Sequence, residues 1–515
     1  MKTRMTMKTR IKNLFPCLGV ALRSRACLAV ASKRRQVLRA LIAGLGLILA
    51  GRVTAQVFAT LYSFNGSSDG SYPIDALLLS GNTLYGTAEY GARYGDGTVF
   101  AVNTDGTGFT NLYSFTGSEG TGDPAAGLLL SGDTLYGATV GPGTTSGTLF
   151  AIKTNGTGFK NLHIFPPTSG TKGLDGTNSD GAGPCGTLIL SGSTLYGTAN
   201  NGGHYGWGTV FAINTNGTGF RVLHTFAAAS APYYTNSDGT LPVGGLILSG
   251  NTLYGTANSG GPYGSGTVFA VNTNGTGFTT LYSFTAVPGS FPKTNPPYIN
   301  LDGAFPWYDG LILSGNTLYG TANSGGSSGW GTVFAVNTNG TGFTTLYNFT
   351  GGSDGADPCA GLILSGNILY GTAAGGGSSG SGTVFAVNTN GTGFTTLYNF
   401  SDGSDGANPD GGLILSGNIL YGTASRGDSS GSGTVFSVTL PAPPLSITAS
   451  DTNIIMTWPT NAAGISFAGY TLQCTTNLVS PAVWTPVSPG PVVVNGQFTV
   501  TNPLSGPQQF YQLSQ

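Results

Sequence analysis

Residues 310–349 read GLILSGNTLYGTANSGGSSGWGTVFAVNTNGTGFTTLYNF, and close copies of this unit fill the chain from Leu61 to Phe436. The Tyr of the LYG element falls at Tyr85, Tyr136, Tyr196, Tyr254, Tyr319, Tyr370 and Tyr421, with spacings of 51, 60, 58, 65, 51 and 51 residues. Repeats of this length signal a solenoid, a propeller or an array.

The ends of the array choose among these. It begins with an orphan Leu61-Tyr62-Ser63-Phe64, the element that ends each full unit. It stops at Gly433-Thr434-Val435-Phe436 with no such element after it. In a ring the spare strand completes the last unit, and closure removes exposed sheet edges. An open solenoid has no use for this offset and needs polar caps instead. Each unit reads as four strands: GLIL, TLYGTA, GTVFAV and FTTLYSF. Ser-Gly-Asn and Asn-Thr-Asn-Gly-Thr-Gly are the tight turns, and Asn-Gly supplies the positive φ that a hairpin requires. No stretch has a 3.6-residue period, so almost no helix is expected after residue 55. The expected fold is all-β: a seven-bladed β-propeller closed by an N-terminal strand at 57–64, followed by a small C-terminal β-sandwich. The expected divisions are 1–55 signal peptide, 56–440 propeller, 441–444 linker and 445–515 sandwich.

Of 515 residues 87 are Gly, an excess over ordinary globular chains. They punctuate regular apolar runs, which disordered chains lack. The formal net charge of −1 hides a division: residues 1–55 hold 12 of 19 Lys and Arg and no acid. The remainder carries 7 basic and 20 acidic residues, a net of −13. Such a surface excludes nucleic acid and anionic membranes as favoured partners. Lys33-Arg34-Arg35, the apolar run 40–51 and Val53-Thr54-Ala55 read as a secretory signal with its cleavage site. The pair Arg34-Arg35 also has a twin-arginine look, but an ordinary Sec n-region is the preferred reading. No second apolar run is long enough to span a bilayer. Cys185 and Cys359 occupy equivalent positions three units apart, too far for the ~7 Å limit of a disulfide. With Cys474 they are expected as unpaired thiols, buried as small hydrophobes.

In an up-and-down unit the two short turns share one face. The loop after TLYGTA and the link to the next unit share the other, and these vary in length. From the closing Phe to the next Asp-Gly is 5 residues after Phe64, Phe349 and Phe400. It is 15 after Phe165, 12 after Phe226 and 18 after Phe284, three consecutive long links. Variable loops on a rigid scaffold commonly carry function. They hold Tyr205, Trp207, Tyr233, Tyr234, Tyr263, Tyr298, Trp307, Tyr308 and Trp330, the ligand-binding candidates. Aromatic planes with few charges suit stacking on sugar rings or gripping a polypeptide, or else packing their own loops. Trp330 lies beside a short link, which favours its exposure.

Asp-Gly-x-x-Pro recurs with Asp69, Asp180, Asp238, Asp302, Asp354 and Asp405, and the second unit departs from it with Glu119-Gly120. These carboxylates are either turn residues bonding nearby backbone N–H groups or weak ligands for Ca²⁺. No other cofactor is suggested. His163 and His224 replace the Tyr of LYxF, and His204 is solitary, so no His-based metal or Ser-His-Asp arrangement is indicated. Only two Glu are present, so a glycosidase pair would rest mainly on Asp, with Asp75, Asp96 and Asp309 on the variable face. No P-loop or dinucleotide fingerprint occurs. After the Pro-rich 441–444, strands are expected at 445–450, 454–458, 470–474, 483–487 and 491–500, with Trp458 and Tyr511 in the core.

The pattern LYGT, GG, GxGTVF, NGxGFTxLYxF, DGxxPxxGLI resembles the Gloeo/Verruco (GloVer) tandem repeats of secreted bacterial proteins, over about 380 residues. The tail resembles fibronectin-III-like modules. The first resemblance implies export and an extracellular or cell-surface setting, and implies no activity. The expected function is a monomeric, non-enzymatic propeller that binds extracellular glycan or protein through its variable face. A polysaccharide-active enzyme using Asp on that face, and a structural surface protein, are the alternatives.

Overall fold

The computed structural model describes residues 57–118, 122–141, 146–169, 176–231, 233–287, 299–307, 310–441, 443–450, 452–462, 465–467, 470–477, 483–503 and 509–514. The leader read at 1–55, the departure at Glu119-Gly120, and Tyr298, Tyr308 and Asp309 lie outside them.

Among the described residues there is no helix, and the repeats form seven four-stranded antiparallel sheets. We number them 1 to 7 in chain order: 78–114, 129–164, 189–225, 247–283, 312–348, 363–399 and 414–439. In sheet 5 the strands are Ile312–Ser314, Thr317–Ala322, Thr332–Asn337 and Thr344–Asn348. Sheet 7 has three strands of its own, and Val57–Ser63 supplies the fourth by pairing antiparallel with Thr434–Thr439. The architecture is propeller-like.

The third strand, TVFAVN in most copies, is buried along five of its six residues because neighbouring sheets cover both its faces. This explains its unbroken apolar run. Its Phe is fully buried in every sheet, each worth roughly 2–3 kcal/mol of transfer free energy. The Gly of LYG makes room for that ring: a Cβ on Gly320 would come 2.7 Å from Phe334 Cζ and 2.8 Å from Leu311 Cδ2. The first strand is shorter than GLIL implies and starts at Ile312, two residues later. Gly310 lies outside the ladder because it meets the neighbouring sheet, where a Cβ would stand 2.4 Å from Gly245 O.

Apolar clusters join consecutive sheets, as Tyr254, Val268 and Phe284 of sheet 4 join Leu311, Leu318 and Phe334 around sheet 5. One cluster holds Tyr421 and Val435 of sheet 7 with Leu77, Leu84 and Phe100 around sheet 1. Outer-strand aromatics repeat the pattern. Tyr62, Tyr113, His163, His224, Tyr282 and Tyr347 each stack on the Phe of the next NGxGF turn, at 3.6–4.0 Å between centroids. Tyr398 of sheet 6 stacks instead on Phe58, at 3.9 Å. Thus Phe58-Ala59-Thr60-Leu61-Tyr62 stands where another copy has FTTLY.

In the tail, Ser446–Ser450, Asn453–Pro459, Gln497–Pro503 and Val492–Val494 form one sheet, and Thr485–Pro486, Thr471–Thr475 and Phe510–Ser514 another. The segment read as one strand at 491–500 is a hairpin turning at Asn495-Gly496, both with positive φ. Phe510–Ser514 is a strand that the sequence reading missed. Trp458 is fully buried, and Phe467 and Tyr470 join it, with Tyr511 packed at the edge. That core is continuous with Ile368, Tyr370 and Leu413 around sheets 6 and 7 and with Leu440, so 441–444 does not hold the tail apart. Ile368 replaces the Thr found at this turn in sheets 1 to 5, which is the sequence mark of the covered surface.

Candidate functional site

The links between sheets build the variable face. In each, the residue before the Pro has positive φ: Tyr72 63°, Asp123 52°, Gly183 63°, Leu241 56°, Phe305 59°, Asp357 53° and Asn408 52°. Six of the seven are not Gly, and a left-handed residue before Pro is doubly disfavoured. The surroundings hold the strain in place. Each of these N–H groups donates to a carbonyl in the loop of the preceding sheet, at 2.8–3.0 Å, including Tyr72 to Ser432 of sheet 7. The Pro then lies on the Gly that precedes the third strand, where a Cβ would approach Pro Cδ to 2.4–2.8 Å.

The Asp of Asp-Gly-x-x-Pro anchors the same joint. Asp302 Oδ2 accepts from Tyr282 Oη at 2.7 Å and from Thr285 N at 2.9 Å. Asp69, Asp354 and Asp405 accept in the same way from Tyr62, Tyr347 and Tyr398 at 2.8–3.0 Å. In two of the three long links the partner is His: His224 Nε2 lies 2.9 Å from Asp238, and His163 Nε2 3.0 Å from Asp180. The six Asp carbonyls accept from Thr Oγ1 of the third strand at 2.8–3.2 Å. Burial, reinforced by the neighbouring Asp, holds the phenols of Tyr62, Tyr282, Tyr347 and Tyr398 well above the usual tyrosine range. Burial lowers the pKa of His163 against the pull of Asp180. These carboxylates therefore face internal donors, an arrangement that suits a structural joint better than a Ca²⁺ shell. Among the described residues no group of three or more His, Cys, Asp or Glu converges as metal ligands would.

The aromatics divide. Tyr205, Tyr233, Tyr234, Tyr263 and Trp330 are exposed, at 46, 61, 43, 52 and 37%. Trp207 is only 7% exposed and packs under Tyr234, with ring centroids 5.3 Å apart. Its partner in the repeat, Trp330, precedes the same Gly-Thr-Val-Phe but adjoins a short link, where its indole rests against Gly351. Trp307 is half-buried, and Phe305 is buried.

A second group was not singled out by sequence. Ser425 Oγ lies 2.6 Å from Asp410 Oδ2 and Cys359 Sγ 3.5 Å from Asp410 Oδ1. Burial raises the pKa of Asp410 against these hydrogen bonds. Glu89 is raised by burial, with added repulsion from Asp123 and Asp410, and Asp123 by burial and by Asp96. Arg426 lies over the Tyr72 ring at 5.2 Å and its Nε donates to Tyr72 Oη. The signal available in sequence was that Asp410 and Glu89 occupy positions where other copies carry small or neutral residues. Asp75 is buried beside this region. A cavity of ≈ 200 Å³ is lined by residues at and just before the first strands of six sheets, among them Ala76, Thr187, Gly245, Gly310, Gly361 and Gly412. Cys185, Cys359 and Cys474 are not joined in disulfides, as expected, but Cys474 is half-exposed rather than buried. Cys185 donates to Val243 O, and burial pushes its thiol up to about 12.

Three solved structures align with the chain, each with a TM-score below 0.5. Oligogalacturonate lyase from Vibrio parahaemolyticus aligns with a TM-score of 0.42 at 10% identity, over 75% of this chain and 97% of its own. A Mycobacterium tuberculosis puromycin-hydrolyzing peptidase aligns at 0.44 and 12%, over 78% and 61%. TolB from Acinetobacter baumannii aligns at 0.34 and 11%, over 60% and 62%. No curated protein sequence matches the chain. A family model described as the Gloeobacter/Verrucomicrobia repeat matches residues 43–176, 172–305 and 296–475, which together span most of the chain. The protein belongs to the Gloeobacter/Verrucomicrobia repeat family.

Proposed function

We propose that the seven sheets are blades of one ring completed by Val57–Ser63, and that the exported protein binds glycan or protein through its variable loop face. The stack of Tyr62 on Phe109 and the bond from Tyr72 N to Ser432 O support a ring, since they join sheets 7 and 1 as other copies join neighbours. The observation that carries the binding reading is the set of exposed aromatics on that face, Tyr205, Tyr233, Tyr234, Tyr263 and Trp330. Solvent-facing rings on a scaffold whose interior aromatics are fully packed favour an external partner. The test is a pull-down of the purified full chain on immobilised polysaccharides and on extracellular protein extracts, with and without EDTA. Retention on either class supports the reading, and loss with EDTA adds a cation. Retention on neither sinks it and moves weight to a structural surface role.

The grouping of Glu89, Asp123 and Asp410 favours a second reading, a polysaccharide-active enzyme. Neighbouring carboxylates with raised pKa are the requirement for general acid chemistry near neutral pH. Release of reducing ends or unsaturated sugars from any polysaccharide, abolished by Asp410→Asn, would establish it. A matched rate in the variant would remove it.

A further inference from the structure

Trp207 and Trp330 occupy the same place in two copies of the repeat, in sheets 3 and 5. Over Trp207 the chain lays its own ring, Tyr234, carried by the long link 227–237. The link beside Trp330 is short, so the equivalent indole is exposed. Tyr234 thus acts as an internal stand-in and displays what this position accepts: a mostly apolar ring packed against the indole, here tilted by 53° to it. Tyr205 and Tyr263 are exposed in the matching loops of sheets 3 and 4, so exposed rings follow one another over three consecutive sheets.

Among the loops after the second strand, charge falls only in sheets 1 and 7. The loops after the second strand carry Glu89, Arg93 and Asp96 in sheet 1 and Arg426 and Asp428 in sheet 7. The corresponding loops of sheets 3, 4 and 5, at 200–208, 258–266 and 323–331, hold no Asp, Glu, Lys or Arg. Their polar groups are amides and hydroxyls, among them Asn200, Asn201, Asn258, Ser259, Asn323 and Ser324. An uronate or sulfated chain gains nothing from such a surface, whereas an uncharged sugar finds ring faces beside neutral donors and acceptors.

We propose that Trp330, Tyr263 and Tyr205 form a track for an extended neutral polysaccharide, with Trp330 as its anchor. The proposal rests on the reading that the variable face binds a partner, and it names the partner's chemistry. A pyranose presents an apolar C–H face to an indole and its hydroxyls to the side, and successive units meet successive rings. Stacking of this kind tolerates differences in stereochemistry, so several neutral backbones are expected to bind.

The test is affinity electrophoresis of the full chain in gels containing hydroxyethylcellulose, xylan or galactomannan, beside polygalacturonate and alginate, with a solution assay against tyrosine-containing peptides. Retardation by at least one neutral polymer, weakened about tenfold by Trp330→Ala or Tyr263→Ala and largely kept by Trp330→Tyr, supports the track. Tyr234→Ala uncovers Trp207 and is expected to raise affinity; an unchanged or lower affinity overturns the stand-in reading. Binding only to the acidic polymers or only to peptides overturns the inference while leaving the binding face intact. Binding to nothing overturns both. Circular dichroism and melting of each variant separate a lost contact from a lost fold.

Discussion

Phe58→Ala asks whether the repeats behave as one ring. Phe58 stacks on Tyr398 of sheet 6 at 3.9 Å and lies 5.7 Å from Phe436 and 5.8 Å from Phe400. A fully buried Phe→Ala change costs about 3–5 kcal/mol. Phe58 is half-buried, so about 2 kcal/mol is expected from packing, and the lost ring pair adds about 1 kcal/mol. If roughly 380 residues melt together, the unfolding entropy is about 0.8 kcal/mol/K, and about 3 kcal/mol lowers Tm by about 4 °C. Phe343, which stacks on Tyr282 inside the array, is the reference position. In a closed ring Phe58→Ala and Phe343→Ala should both shift a single calorimetric transition, by similar amounts. In an open row of sheets the terminal strand frays independently. A main transition within about 0.5 °C of the parent, or a small separate one for the last sheet, would refute closure by Val57–Ser63.

Gly320→Ala forces a Cβ onto Phe334 and Leu311, both fully or nearly buried, and should cost about 1–3 kcal/mol in a denaturant melt; a neutral result would mean the core yields more readily than its packing implies. Tyr282→Phe leaves Asp302 Oδ2 with one donor fewer and should destabilise by about 1–2 kcal/mol in a denaturant melt; a neutral result would contradict the joint. The pKa of Asp410 is raised in the folded state, so the folded chain holds its proton more tightly than the unfolded one. Stability from this group is present below about pH 4 and is lost as pH rises through the raised value. Asp410→Asn should flatten that part of the stability profile, and an unaltered slope would assign it elsewhere. Native alkylation should modify half-exposed Cys474 ahead of buried Cys185 and Cys359, read by mass spectrometry; equal rates would show that the sheets open freely.

Much of the architecture is written into the repeat itself. Alternating apolar runs and Gly-containing turns define four strands per copy, and the orphan LYSF at 61–64 announces a strand exchanged between the ends. The Asp of Asp-Gly-x-x-Pro was legible as a turn residue, but its partner was not. The Tyr four residues after the Phe of FTTLY stacks on the next sheet and reaches the next link's Asp, contacts that exist only once sheets are side by side. The positive φ before each Pro was equally hidden, because local preference opposes it and only the bond to the preceding sheet sustains it.

Composition, repeat length and the mismatch of the two ends determine an all-β, propeller-like chain whose variation in loop length is confined to one set of connections. They do so because strand periodicity, turn chemistry and edge pairing are local or nearly local properties. Which aromatics face solvent was decided only by tertiary structure. Trp207 and Trp330 have the same local sequence, Trp-Gly-Thr-Val-Phe, yet one is buried under Tyr234 and the other exposed. The difference comes from the length of a link more than twenty residues downstream, and burial is a property of neighbours in space. The same holds for Asp410, whose raised pKa arises from burial beside a Cys and a Ser that lie far from it in sequence or in another strand.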